Sequence, residues 1–370
     1  MSTQHVYYSQ VGFKPLKVER RIVVNDGYTG YFPLAISLDG QRIFGVLRRG
    51  SGHISADGKL VGVISQDGGE TWNTPFTIKP DIPGDQRGPP ALGLNKNGEI
   101  VLAFACLHGF SKAYIAHVGT PDYKYYEYLI DAFIPENASV KSYTMISRNG
   151  GSTWAVSSLA YNDLILVPYG KIVRLSDGTL IMNVNGARGN IITNIKRSTY
   201  VIRSRDGGKT WGELTLIADG FNEGSLLSLD DDLIIAAIRA DPPSESIYIS
   251  RSEDGGYSWS KPVRVTDELE HPADLIQLID GSILMVYGHR KIPYGVRGLI
   301  SKDGGKSWSF NLTLASDCKN QDCGYPTAVL TEEGNIVILY YAVGTLYEDD
   351  LKVKCIALKI NEKELLSKIS

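Results

Sequence analysis

An eight-residue pattern recurs five times along the chain and narrows what it can fold into more than any other feature. It reads S-Q-D-G-G-E-T-W from Ser65 to Trp72, S-R-N-G-G-S-T-W from Ser147 to Trp154, S-R-D-G-G-K-T-W from Ser204 to Trp211, S-E-D-G-G-Y-S-W from Ser252 to Trp259 and S-K-D-G-G-K-S-W from Ser301 to Trp308. All five tryptophans of the protein close these octets. An Asp or Asn at the third position accepts from nearby backbone N–H groups, two glycines permit φ > 0, and the Trp is a large apolar anchor between neighbouring sheets. The octet is a hairpin turn with a packing foot, and its chemistry is structural.

A looser repeat accompanies it. Segments beginning at Phe32, Gly88, Tyr169, Asn222, His271 and Gly324 each hold two apolar runs around a D-G, N-G, D-D or E-G turn, as in H-P-A-D-L-I-Q-L-I-D-G-S-I-L-M-V-Y from His271. Each reads as a β-hairpin. Six hairpins against five octets predict six similar units, with the octet missing from the last. Octet starts lie 82, 57, 48 and 49 residues apart, spacings that suit four short strands per unit. The long first interval places an insertion in the second unit, in the Tyr-rich stretch from His108 to Val140. The last unit has only one further strand, L-K-V-K-C-I-A-L-K-I from Leu351, so its missing outer strand should come from V-E-R-R-I-V-V, Val18 to Val24, which removes an exposed edge.

These octets resemble the Asp boxes of sialidases and related six-bladed β-propellers. The resemblance implies an all-β fold: a six-bladed β-propeller with five Asp boxes, formed as one domain over residues 1–370 and closed by its N-terminal strand.

Composition excludes several functions. A formal net charge of −3 gives no basic field for nucleic acid or a membrane surface. The first 20 residues lack an apolar core of the signal-peptide kind, and nowhere do 18 apolar residues run together, so a cytoplasmic protein is expected. Four cysteines imply no disulfide framework; Cys318 and Cys323, five apart, are expected as free thiols rather than a loop bridge. The six histidines show no metal-ligand spacing, and every D-G-G falls inside an octet, so no phosphate loop remains. Neither a metal nor a nucleotide cofactor is expected.

In each hairpin the residues before the first strand and after the second meet at one end. The entry positions are Tyr31, Arg87, Tyr169, Glu223, His271 and Tyr325; the exits include Arg48, Arg49, His108, Arg188, Arg239, His289 and Arg290. Singly, such an Arg is a solvated cap and such a His or Tyr is packing. Convergence from six units makes a polar, cationic mouth suited to an anionic or polyhydroxylated ligand, and a carbohydrate is the expected partner.

Within the resemblance, N-E-G-S-L-L-S-L-D-D-D-L-I-I-A-A-I-R is similar to the sialidase segment in which a Glu opens an inner hairpin and an Arg closes it. It implies Glu223 as general base and Arg239 as a substrate-carboxylate ligand. D-C-G-Y-P-T-A-V from Asp322 is similar to the nucleophile segment, which puts Tyr325 in that role. Asp57, in R-R-G-S-G-H-I-S-A-D-G, falls where the family places its acid/base, provided its pKa is raised. Arg297, with Arg290 as its rival, falls where a further arginine is expected. A phenol with pKa about 10 needs a carboxylate to take its proton, which Glu223 would do. One departure is plain: where sialidases open the first hairpin with an Arg-Ile-Pro-like tripeptide, this chain has Tyr31-Phe32-Pro33, leaving Arg48, Arg49 or Arg87 to compensate. The expected activity is retaining hydrolysis of a terminal acidic or related sugar. Two alternatives stay open: a polysaccharide lyase on uronates, using His53, His271 or His289 with Tyr325, and a non-catalytic binding platform.

Overall fold

The computed structural model describes residues 5–11, 14–53, 55, 57–86, 88–108, 139–162, 164–188, 197–230 and 232–369. Arg87 and nearly all of the insertion expected between His108 and Val140 lie outside them.

The fold is all-β. Among the described residues the strands form six antiparallel groups of four, whose first strands are Thr29–Ser37, Ala91–Leu94, Leu164–Arg174, Phe221–Ser228, Glu270–Gln277 and Cys323–Leu330. Each first strand turns back into a second: Ile43–Arg49, Ile100–His108, Leu180–Arg188, Ile234–Ala240, Ile283–His289 and Asn335–Val343. First strands of successive groups pack side by side in chain order, and Cys323–Leu330 lies against Thr29–Ser37. In the last group the fourth place is taken by Lys14–Gly27, which pairs antiparallel with Val353–Asn361 through Arg21 opposite Ala357 and Ile22 opposite Ile356. Beyond it, His5–Val11 pairs with Lys14–Gly27 and reaches Ser309–Ala315 of the fifth group.

The second strands are the core. I-I-A-A-I-R-A from Ile234 is buried throughout, as is nearly all of N-I-V-I-L-Y-Y-A-V from Asn335. They lie between neighbouring groups and so are apolar on both faces, reading as continuous runs rather than alternations.

All five octets make the same turn. The Ser hydroxyl accepts from the N–H of the second glycine at 2.7–2.8 Å, and the Asp or Asn side chain accepts from the N–H four residues after it, that of Thr71, Thr153, Thr210, Ser258 or Ser307, at 2.8–2.9 Å. The paired glycines all have φ between 65° and 95°, a region costly for any residue with a Cβ. Each Trp packs into apolar residues shared with the preceding group, as where Trp154 meets Phe44 at a ring separation of 6.0 Å.

The chain ends in a helix, Glu362–Ile369, which the sequence reading did not anticipate. Asn361 caps it, accepting from the Glu364 N–H at 3.0 Å, with acidic residues in the first turn and Lys368 in the last, as the helix dipole favours. Leu365 and Ile369 join the core beside Leu16. No helix among the described residues is long and apolar enough to cross a membrane.

Candidate active site

The first strands open on β-bulges, and these aim the site residues. Register shifts fall between Tyr31 and Leu34, Phe221 and Gly224, Glu270 and Ala273, and Gly324 and Thr327. A bulge turns the side chain beside it and tolerates a proline that a regular ladder would not, hence Phe32-Pro33, His271-Pro272 and Tyr325-Pro326 at three of them. Phe32 and Tyr325 have φ of 52° and 46°, left-handed conformations rare for aromatic residues and concentrated at functional sites. Gly324, at φ 99°, lies so close to Gly288 that a Cβ on it would sit 2.9 Å from the Gly288 Cα. This approach brings Tyr325 to Arg290, whose guanidinium carbon is 5.3 Å from the ring centre, a cation–π contact.

The Tyr325 hydroxyl donates to Glu223 Oε1 at 2.6 Å. Arg239 Nη1 donates to Glu223 Oε2 at 2.8 Å and to the Tyr325 oxygen at 3.4 Å. Its Nη2 donates to Glu245 Oε1 at 2.6 Å. Tyr325 and Arg239 are buried, while the Glu223 and Glu245 side chains keep 16% and 14% of their surface exposed. Next to this cluster is a small cleft lined by His53, Glu245, Leu269, His271, Arg290, Gln321 and Asp322.

His53 and His271 differ in their partners. His53 Nε2 donates to Asp322 Oδ1 at 2.8 Å, and the Tyr341 hydroxyl donates to the same oxygen at 2.7 Å. Burial opposes ionisation of Asp322, but His53 and Tyr341 outweigh it and hold its carboxyl below the usual range. His271 is fully buried, and neither ring nitrogen has a hydrogen-bond partner among the described residues; Glu245 Oε1 is 3.8 Å from its Nε2. Burial, with Arg239 and Arg290 nearby, pushes His271 well below the usual histidine value, so it is neutral.

Several expected ligands have other work. Asp57 is exposed and accepts from the Ser51 N–H and hydroxyl at 3.2 and 2.9 Å. Its partial burial favours the acid form, but the Ser55 and Ser51 hydroxyls outweigh this and lower its pKa, the reverse of the rise expected for a general acid. Arg48 is buried against Asp85 at 2.7 Å and also holds Ser55 and the Gly52 carbonyl, bracing the chain that follows its strand at these two residues. Arg297 donates to the carbonyls of Val296, Ala315 and Pro293, so of the two rivals Arg290 lines the cleft. Arg49 is exposed at its strand end near Asp26. His289 Nδ1 donates to Glu270 at 2.9 Å, and Lys291 joins that pair. Tyr31 is buried edge-on to His53, and burial and Asp322 push its phenol up. In the tripeptide Tyr31 stands where the arginine is absent, and the neighbouring Phe32 ring lies 4.7 Å from Tyr325 and 4.9 Å from His53.

Glu245 and Asp322 were not assigned from sequence. Asp322 opens the D-C-G-Y-P motif, three residues before Tyr325. Glu245 sits in D-P-P-S-E-S after Arg239, where a proline pair followed by a lone carboxylate was the available signal. It has φ 41°.

A BNR repeat-like domain matches residues 44–338, well over half of the chain, and the protein belongs to this sialidase-like family. A solved structure of a protein of unknown function from Dyadobacter fermentans aligns with a TM-score of 0.74 at 22% identity, covering 96% of this chain and 99% of that one. Hadza microbial sialidase Hz136 aligns at 0.67 and 16% identity, over 91% of this chain and 66% of its own. A mutant of NanB sialidase from Streptococcus pneumoniae aligns at 0.64 and 13% identity, over 91% and 69%. These likenesses establish the fold. No curated protein sequence matches the chain.

Proposed function

We propose that the protein is a retaining glycoside hydrolase acting on a terminal sugar, acidic or related, at one mouth of a single six-bladed β-propeller. The six strand groups, packed in order with the last against the first, support the propeller, with the octets as its Asp boxes and Lys14–Gly27 as its closing strand. The observation that carries the activity is the hydrogen bond from Tyr325 to Glu223.

In this mechanism Glu223 takes the phenol proton as the Tyr325 oxygen bonds to the anomeric carbon, and Arg239 steadies both oxygens. The glycosidic bond breaks with its electron pair going to the leaving oxygen. His53, on the loop expected to carry the acid, donates the proton which that oxygen takes up, and Asp322 stabilises the cationic form. Water then attacks the anomeric carbon, His53 takes its proton, and Tyr325 is released and recovers a proton from Glu223. Asp57 fixes the turn of the same loop.

A uronate lyase needs an arginine for the substrate carboxylate; Arg239 already carries Glu223 and Glu245, which leaves that part to Arg290 in the cleft lining. The test is to treat the protein with activated fluoro-glycosides, map any covalent adduct by mass spectrometry and follow the product anomer by NMR. An adduct on Tyr325 with retained configuration is expected. An inverted product, or an unsaturated one absorbing in the ultraviolet, overturns the mechanism.

A further inference from the structure

The absent first arginine leaves open what the cleft does with charge. Its charged lining is Arg290 against Glu245 and Asp322, and both terminal nitrogens of Arg239 are engaged, Nη1 by Glu223 and Nη2 by Glu245. A sugar carboxylate arriving at Arg239 would have to displace a 2.6 Å charge-assisted hydrogen bond and then lie against the carboxylate it displaced, and like charges in such contact repel strongly. Glu245 is held there by its backbone: it lies in a short loop whose ends are tied by the Ala240 N–H to the Ser246 carbonyl at 2.9 Å.

His271 points the same way. It lines the cleft, is fully buried, and both its nitrogens lack a partner among the described residues. An unpaired buried donor or acceptor is costly; a neutral imidazole has one donor and one acceptor nitrogen, and a hydroxyl, able to give or receive a hydrogen bond, suits whichever of them faces the cleft. Leu269, 37% exposed, adds an apolar wall.

We propose that Glu245 is a specificity-determining residue that closes Arg239 to substrate carboxylates, and that the cleft takes an uncharged pyranoside with one hydroxyl on His271. This deepens the glycosidase reading and rests on it for the word substrate; the charge selection itself is a binding property.

The first experiment measures binding of D-glucuronate and N-acetylneuraminate to the full-length protein by calorimetry. The wild type should bind neither saturably, while Glu245→Gln, with Glu245→Ala as a second variant, gains affinity by about tenfold or more, the worth of one charge-assisted hydrogen bond. Adding Arg239→Gln should abolish the gain. Wild-type binding as tight as the variants', no gain in either folded variant, or a gain that survives Arg239→Gln overturns the proposal. The second experiment pairs aryl glucosides and fucosides with aryl glucuronides and sialosides. Turnover confined to the uncharged members supports the inference; turnover of the acidic ones overturns it and leaves the Tyr–Glu mechanism standing. If no glycoside turns over, the hydrolase reading fails, and the calorimetry still decides the role of Glu245.

Discussion

The hydroxyl of Tyr325 rests 2.6 Å from a carboxylate oxygen of Glu223, a residue 102 positions earlier in the chain, and two separate bulges are needed to bring them together. The glutamate closes the short path for the phenol proton, and Arg239 bridges both residues. Tyr325→Phe should lower glycoside turnover by about 10³-fold or more, since the nucleophile is gone, with stability changed by about 1 kcal/mol for the lost hydrogen bond. Glu223→Gln should lose turnover comparably. Steady-state kinetics with melting curves check both; a Tyr325→Phe enzyme of normal activity ends the mechanism.

The loop over residues 50–58 carries two candidate acids, and leaving-group dependence separates them. His53→Gln should reduce turnover of alkyl glycosides by about 10²–10⁴-fold, the usual worth of a general acid, and 4-nitrophenyl glycosides far less, because their leaving group needs no proton. Asp57→Asn should affect both classes equally and weakly. The opposite pattern returns the acid role to Asp57.

What was legible in the sequence divides along physical lines. The octets are local: Ser, Asp, Gly-Gly and Trp make their bonds within eight residues, so the turn could be read from spacing alone. Tyr325, Glu223 and Arg239 were legible because each opens or closes a hairpin, and hairpin ends share a mouth. Partner choice was not legible. Arg48 and Arg297 are arginines of the same strand-end kind as Arg239 and Arg290, yet Asp85 and three backbone carbonyls claim them, and which partner a side chain takes depends on how the chain folds back around it. Glu245, six residues after Arg239, reaches it only through the path of its loop. The C-terminal helix was missed because its eight residues follow directly on an apolar strand, although Asn361 and the Glu-rich first turn mark its start.

The tryptophans should serve stability and not chemistry, in proportion to burial. Trp154, 9% exposed and against Phe44, should cost about 3–5 kcal/mol when replaced by Ala. Trp211, only partly buried, should cost less. Denaturant titration gives the order, and a Trp211→Ala protein less stable than Trp154→Ala contradicts it.

Glu270 supplies an acid-side stability term. Burial works against its charge, yet the His289 hydrogen bond, the Asp267 N–H and Lys291 lower its pKa from 4.5 to about 2. A carboxyl depressed on folding stabilises the native state above its unfolded pKa, and that contribution drains away as pH falls from about 4.5 toward about 2. Glu270→Gln should therefore be less stable than wild type at pH 6, with the difference shrinking through this interval in pH-dependent denaturation. A difference that stays constant assigns the pair no electrostatic worth.

Behind the site, one ion pair ties first strands from five of the six groups. Lys171 Nζ is 2.7 Å from Asp274 Oδ2 and donates to the carbonyls of Leu275 and Ala328. Asp274 accepts from the Ser225 and Thr327 hydroxyls and the Ala328 N–H at 2.7, 3.1 and 2.9 Å, and Thr327 accepts in turn from the Ala35 N–H. Strands beginning at Thr29, Leu164, Phe221, Glu270 and Cys323 thus share a buried charge. Removing one member of such a pair leaves the other uncompensated, at about 3–5 kcal/mol, so Asp274→Ala should destabilise by that amount. Replacing both residues by apolar ones, Lys171→Met with Asp274→Leu, should recover much of the loss, because no charge is then left unpaired. Equilibrium unfolding of the single and double variants decides the matter: a single variant within about 1 kcal/mol of wild type shows that the ion pair does not hold the five strands together.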